Sequence, residues 1–180
     1  DEVFQQMNGR GYKIKRVLEG IEKAASVGLS PIKINVVVQK GINVSTIVDM
    51  ARHFKESGYI VRFIEYMDVG TTNGWSLDEV VSAEEIRDMF NDLQPLIPKN
   101  ESDVAKRYRL PNGSEIGLIT SVTEPFCGNC TRARLSADGR LFTCLFSNKG
   151  LDLLTPLRAG NSDQEIASLI KSNWSQREDR

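Results

Sequence analysis

The sequence predicts an α/β chain: a strand–helix–strand layer over residues 1–93, then a β-hairpin-rich segment that carries every cysteine and ends in a helix over 94–180. Three observations predict it. Helical periodicity alternates with short β-branched runs in the first part. Two hairpin-type turns, Pro111-Asn112-Gly113 and Asp138-Gly139, punctuate the second. Helical spacing then returns over 162–176.

Residues 11–28 read as an amphipathic helix, with Ile14, Val17, Leu18, Ile21, Ala24 and Ala25 at spacings of three and four and Gly28 as its stop. Ser30-Pro31 turns the chain into the strand IKINVVVQ (32–39), β-branched and too short for a helix. A helix over 44–57 follows, with Val44, Ile47, Val48, Ala51 and Phe54 on its apolar face, Asn43 or Ser45 as cap and Gly58 as stop. The strand YIVRFIEYM (59–67) completes a βαβ unit, which calls for parallel strands. A helix over 83–93 buries Ile86, Met89, Phe90 and Leu93. Beyond Pro95 and Pro98, residues 104–122 form one hairpin and 132–145 a second. The terminal helix takes Ser162 as N-cap and Ile166, Leu169, Ile170 and Trp174 as its apolar side.

Composition narrows the function classes. Hydrophobic residues at 40% and charged residues at 26% are those of an ordinary globular chain, and 180 residues make one large domain or two small ones. With 23 Lys+Arg against 24 Asp+Glu the net charge is −1, so no global field favours nucleic acid or an anionic membrane. No apolar run is long enough to span a bilayer and no secretory signal opens the chain, giving the expectation of a cytoplasmic protein. The start at Asp1, directly in helical sequence, gives the expectation of a processed or excised piece.

Cys127, Cys130 and Cys144 are too few for a disulfide framework but form a C-x2-C-x13-C pattern. The hairpin at Asp138-Gly139 returns Cys144 toward Cys130. A two-residue turn sets Cys144 opposite Ala133 and away from Arg132 and Arg134; a three-residue loop sets it opposite Arg132, on the shared face. Arg132, Arg134, Arg140 and Lys149 against Asp138 alone make residues 126–150 a basic surround suited to an anion. Structural zinc normally takes four ligands, whereas three thiolates on a four-iron cluster leave one iron open. Zinc, an iron–sulfur cluster, a redox dithiol and incidental buried cysteines all stay open on the residues alone.

On the 32–39 strand Lys33, Asn35 and Gln39 share one parity, and Arg62 and Glu65 interrupt the next strand. A half-exposed strand and a polar barrel lumen both account for this. Arg62 and Met67 lie on opposite parities, so a ligand meeting both meets one at the strand end. His53 reads as a helix-surface or packing residue, and Trp75 and Trp174 as packing or partner-facing residues. The acids Asp78-Glu79 through Glu84-Glu85 read as a solvated helix start.

Taken in order, IKINVVVQKGIN (32–43), RFIEYMDVG (62–70) and FCGNCTRARLSADGRLFTCLF (126–146) resemble the molybdenum cofactor biosynthesis protein A family, the GTP 3′,8-cyclases of the radical S-adenosylmethionine superfamily. The resemblance runs from about residue 4 to about residue 178, and the cysteine segment is its most specific part. It implies a partial TIM-like barrel over 1–93 and an auxiliary [4Fe–4S] segment over 94–180. It implies Cys127, Cys130 and Cys144 as cluster ligands, with the open iron meeting the guanine of GTP. Lys33, Arg62, Arg132, Ala133 and Arg134 match GTP-contacting positions, and Met67 matches a residue lining the S-adenosylmethionine pocket. The implied reaction is ribose hydrogen abstraction by a 5′-deoxyadenosyl radical and closure of the sugar radical onto C8 of guanine.

These 180 residues contain no C-x3-C-x2-C, the family motif for the cluster that cleaves S-adenosylmethionine, and they stop at Glu178-Asp179-Arg180 rather than Gly-Gly. The expectation is a chain that supplies the GTP-binding cluster and does not generate the radical alone. S-adenosylmethionine and the second [4Fe–4S] cluster are expected only with a preceding part, and unpaired strand edges give the expectation of a homodimer. The alternatives are a zinc-stabilised, non-catalytic binding module and the auxiliary-cluster region of another radical enzyme.

Overall fold

Val61, Phe63 and Glu65 are buried while Ile60, Arg62 and Ile64, their neighbours on the same strand, are half-exposed. That period of two sets the inner and outer faces of the sheet on which the first unit is built. The computed structural model describes residues 1–69, 74–100 and 103–177. The chain divides into two compact units, Asp1–Met67 with Trp75–Pro125 and Asp68–Gly74 with Phe126–Arg180.

The first unit runs α1 (Glu2–Asn8), α2 (Lys15–Ser26), β1 (Lys33–Val38), α3 (Ile47–His53), β2 (Ile60–Glu65), α4 (Ala83–Asp88), β3 (Gln94–Pro95), β4 (Lys106–Arg109) and β5 (Glu115–Ile119). Its sheet order is β1-β2-β5-β4-β3. β1 pairs parallel with β2 and β2 with β5, whereas β4 lies antiparallel to both β5 and β3. The expected βαβ unit is therefore present, and the first expected hairpin contributes a third parallel neighbour to it. Gly113, at φ 86, closes that hairpin with its N–H donating to the Leu110 carbonyl at 2.9 Å, a conformation only glycine adopts without strain.

The core gathers Val38, Ile47, Phe54, Val61, Phe63, Ile86, Phe90, Ile116 and Leu118 on one face of the sheet under α3 and α4. Glu65 is buried among them at 1% exposure. Its carboxylate accepts from the backbone N–H of Ala83 (3.0 Å), Val122 (2.7 Å) and Thr123 (2.9 Å), and from the Thr123 hydroxyl. A buried carboxylate persists only when so satisfied, and here it ties the end of β2 to the start of α4 and to the chain after β5. Ser82 and Glu85 form a capping box that begins α4.

Three elements depart from expectation. The helix expected over 44–57 is a 3-10 turn at Val44–Thr46 running into α3, and neither Asn43 nor Ser45 caps it. The Asn43 side chain is committed elsewhere: it donates to the Val37 carbonyl at 2.8 Å and accepts from the Gln39 N–H at 2.9 Å, closing the turn after β1. The helix expected over 83–93 ends at Asp88, and Asp92 turns the chain at φ 55. Finally, the change of character expected at 93/94 does not coincide with the unit boundary at Pro125, because β3, β4 and β5 join the same sheet as β1 and β2.

The second unit holds a 3-10 turn at Cys127–Asn129, the antiparallel strands β6 (Arg134–Leu135), β7 (Arg140–Phe142) and β8 (Leu151–Asp152), then α5 (Leu154–Arg158) and α6 (Asp163–Ser175). Ser162 caps α6 as expected and shares a capping box with Glu165. No helix of the described residues is long and apolar enough to cross a membrane.

Candidate functional site

The sequence-predicted residues fall in both units. Lys33, Arg62 and Met67 belong to the first; Cys127, Cys130, Arg132, Ala133, Arg134 and Cys144 belong to the second.

In the second unit the hairpin takes the three-residue loop rather than the two-residue turn. Arg134 faces Phe142 and Leu135 faces Leu141. The Ser136 N–H donates to the Arg140 carbonyl at 2.9 Å, so the loop is the three residues Ala137-Asp138-Gly139, with Gly139 at φ 76. The ladder ends at Arg134 and Phe142, short of Arg132 and Cys144, and the chain bends at Thr143 and Cys144. A side chain at Gly139 would also collide with Leu154, whose Cβ stands 2.6 Å from the position a Cβ would take.

All three cysteines are free and half-buried. The Cys130 N–H donates to the Cys127 carbonyl at 3.0 Å, which holds the C-x2-C segment in its 3-10 turn. Arg132 Nη2 donates to Cys130 Sγ at 3.0 Å, while its guanidinium lies 5.0 Å from the centre of the Phe126 ring. Burial alone would push the Cys130 thiol up. The Arg132 backbone and side-chain hydrogen bonds and the charges of Arg132 and Arg177 outweigh it, and the thiol is held below its ordinary value. Arg132 Nε is buried with no hydrogen-bond partner among the described residues. Cys144 Sγ accepts from the Phe146 N–H at 3.4 Å. Ala133 and Arg134 are exposed.

Among the described residues no three His, Cys, Asp or Glu side chains form a group able to hold a metal, so the three sulfurs do not converge on one point. The donor chemistry nonetheless fits a thiophilic group: three free thiols lie in one small unit, one of them drawn toward thiolate by an arginine.

In the first unit Lys33, Asn35 and Val37 are exposed along β1 while Val38 is buried, so the polar parity lies on the open face of the sheet. Gln39 leaves that parity: its amide donates to Glu79 Oε1 at 3.1 Å and its backbone bridges to Val80. Arg62 lies on the open face and its Nε donates to Asn35 Oδ1 at 2.8 Å. Met67 follows the end of β2, half-buried. His53 is exposed at the end of α3 with its ring edge-on to Phe54, and Trp75 Nε1 donates to the Tyr66 carbonyl at 2.9 Å.

Sequence reasoning missed three residues of the open face. Arg107 pairs with Glu115 through two hydrogen bonds of 2.6 and 2.7 Å, holding the carboxyl below its ordinary range. Gly117 sits between Arg62 on β2 and Arg107 on β4. The cation-rich run KRYR (106–109) is a weak signal, and strand pairing was needed to place it.

A family model described as Molybdenum Cofactor Synthesis C matches residues 59–180. The chain is 45% identical over 185 residues to a protein named GTP 3′,8-cyclase from Staphylococcus carnosus (strain TM300), covering 100% of this chain and 54% of that one. It is 44% identical, with the same coverage, to the GTP 3′,8-cyclase of Staphylococcus haemolyticus (strain JCSC1435). The chain spans about half the length of the curated relatives it matches, and corresponds to their C-terminal part. A C-x2-C-x13-C segment flanked by arginines, set after a parallel sheet and matched along the whole chain, thus belongs to the Molybdenum Cofactor Synthesis C family.

Proposed function

We propose that this chain is the GTP-holding part of a GTP 3′,8-cyclase working in the cytoplasm in the first step of molybdenum cofactor synthesis, with its first unit a segment of a TIM-like barrel. The observation that carries the reading is the Arg132–Cys130 contact within a C-x2-C-x13-C segment, in a chain matched end to end by relatives named for that activity. Cys127, Cys130 and Cys144 would hold an auxiliary [4Fe–4S] cluster, which supplies one open iron as a Lewis-acidic contact for the guanine. Arg132 stabilises thiolate charge at Cys130 and, with Arg134, offers guanidinium donors to an anionic ligand. Lys33 and Arg62 present cationic groups to the triphosphate on the open sheet face, and Met67 meets S-adenosylmethionine at the end of β2. Catalysis by the whole enzyme draws on a further C-x3-C-x2-C segment that these 180 residues lack.

The test is GTP titration of the chain after anaerobic cluster reconstitution. Arg132→Ala and Arg134→Ala are each expected to weaken GTP by about tenfold, the worth of one charge-assisted hydrogen bond. Unchanged affinity in both variants contradicts the assignment. One zinc per chain and no iron would instead favour a zinc-stabilised binding module.

A further inference from the structure

Four residues lie in one row across the sheet: Asn35 on β1, Arg62 on β2, Gly117 on β5 and Arg107 on β4, each paired in register with the next. Arg62 is the centre of the row. On one side Asn35 Oδ1 accepts its Nε–H at 2.8 Å. On the other its aliphatic stem lies over Gly117, where a Cβ would stand 3.1 Å from Arg62 Cγ and 3.3 Å from the Ala105 Cβ. A Cβ there would press the arginine stem and Ala105 aside by a few tenths of an ångström.

The chemistry of the partner matters as much as its position. An amide oxygen orients a guanidinium without cancelling its charge, whereas a carboxylate would do both. The hydrogen bond to Asn35 uses Nε and leaves the Nη1/Nη2 end of the fork outside it. Glu115, the carboxylate one residue pair along the same strand face, has both oxygens engaged by Arg107. The row thus fixes one arginine with a neutral acceptor and withholds the neighbouring acid from it.

We infer that Asn35 and Gly117 are positioning residues for Arg62, holding its guanidinium across the open sheet face as a contact for the phosphates of a nucleoside triphosphate. This rests on the reading above that Arg62 meets the triphosphate. Asn35 orients the fork and preserves its charge; Gly117 gives the stem room to lie flat.

The experiment titrates inorganic tripolyphosphate and GTP into the 180-residue chain and its variants by calorimetry, alongside the NMR signal of the Arg62 Nε–H. Asn35→Ala is expected to lose the protected Nε–H signal and weaken tripolyphosphate about tenfold. Asn35→Asp is expected to keep the signal and weaken binding as much, because the acceptor is retained and the charge neutralised. Gly117→Ala is expected to weaken binding with Asn35 intact; if it does not fold, the exposed Asn35 variants decide. Weakened binding in Arg62→Ala with both Asn35 variants at wild-type affinity overturns the inference and leaves the triphosphate reading standing. Wild-type affinity in Arg62→Ala, or no tripolyphosphate binding by the unmodified chain, overturns that reading and the inference with it.

Discussion

Arg132 Nη2 lies 3.0 Å from Cys130 Sγ, and its guanidinium stacks on Phe126, the residue before Cys127. One arginine is thereby held by both ends of the C-x2-C segment, with its ring partner at the start and its sulfur partner at the finish. Replacing it with alanine removes the side-chain hydrogen bond and the Arg132 charge that help hold the Cys130 thiol down, and leaves the backbone hydrogen bond from residue 132 and the charge of Arg177. In a Cys127→Ser/Cys144→Ser background, Arg132→Ala is expected to slow alkylation of Cys130 at pH 7 by several-fold, because the thiolate fraction falls as the thiol returns upward. An unchanged alkylation rate would separate the arginine from the sulfur.

Glu65 makes a prediction about stability alone. Removing a carboxylate that accepts from three backbone N–H groups and a hydroxyl leaves the buried Ala83 N–H without a partner and frees the half-buried Val122 and exposed Thr123 donors. Glu65→Ala is expected to cost about 2–4 kcal/mol in urea unfolding, at about 1 kcal/mol for each hydrogen bond lost. A cost below about 1 kcal/mol would show that water or rearrangement replaces it.

The Arg107–Glu115 pair predicts an acid-side effect. Its side chains are 20% and 19% exposed, and Glu115 is held below its ordinary value chiefly by the Arg107 hydrogen bonds. A carboxylate so lowered contributes stability above its unfolded value and loses it as pH falls through the folded one. Wild type should therefore lose stability below about pH 4.5, and Glu115→Gln should be less stable at pH 7 by about 2 kcal/mol with a flatter acid limb. Parallel acid limbs in the two proteins would contradict the assignment.

Gly139 tests the hairpin that carries Cys144. At φ 76 and with Leu154 Cβ 2.6 Å from the place of a Cβ, Gly139→Ala combines backbone strain with a collision. The expected cost is about 1–3 kcal/mol, read as a lower unfolding midpoint with unchanged slope. A midpoint equal to wild type would mean that the loop adopts another turn.

Local signals carried much of the fold. The β-branched runs gave β1 and β2 within a residue or two of their ends, and Ser162 gave α6 its start. Turn chemistry located both hairpins, but turn chemistry alone left loop length open, and one residue of loop shifts the register of the returning strand. Contacts between strands distant in sequence were the illegible part. Nothing local says that Glu115–Ile119 lies beside Ile60–Glu65, so the row through Asn35, Arg62, Gly117 and Arg107 was hidden. Asn43 misled for a related reason: its side chain suits a helix cap and was taken up by the turn after β1.

The most direct measurement is metal and sulfide analysis of the 180-residue chain reconstituted anaerobically, beside Cys127→Ser, Cys130→Ser and Cys144→Ser. About four irons with matching sulfide per chain are expected, with most of that iron lost in each variant. Zinc in place of iron, or iron retained in all three variants, would contradict the cluster assignment.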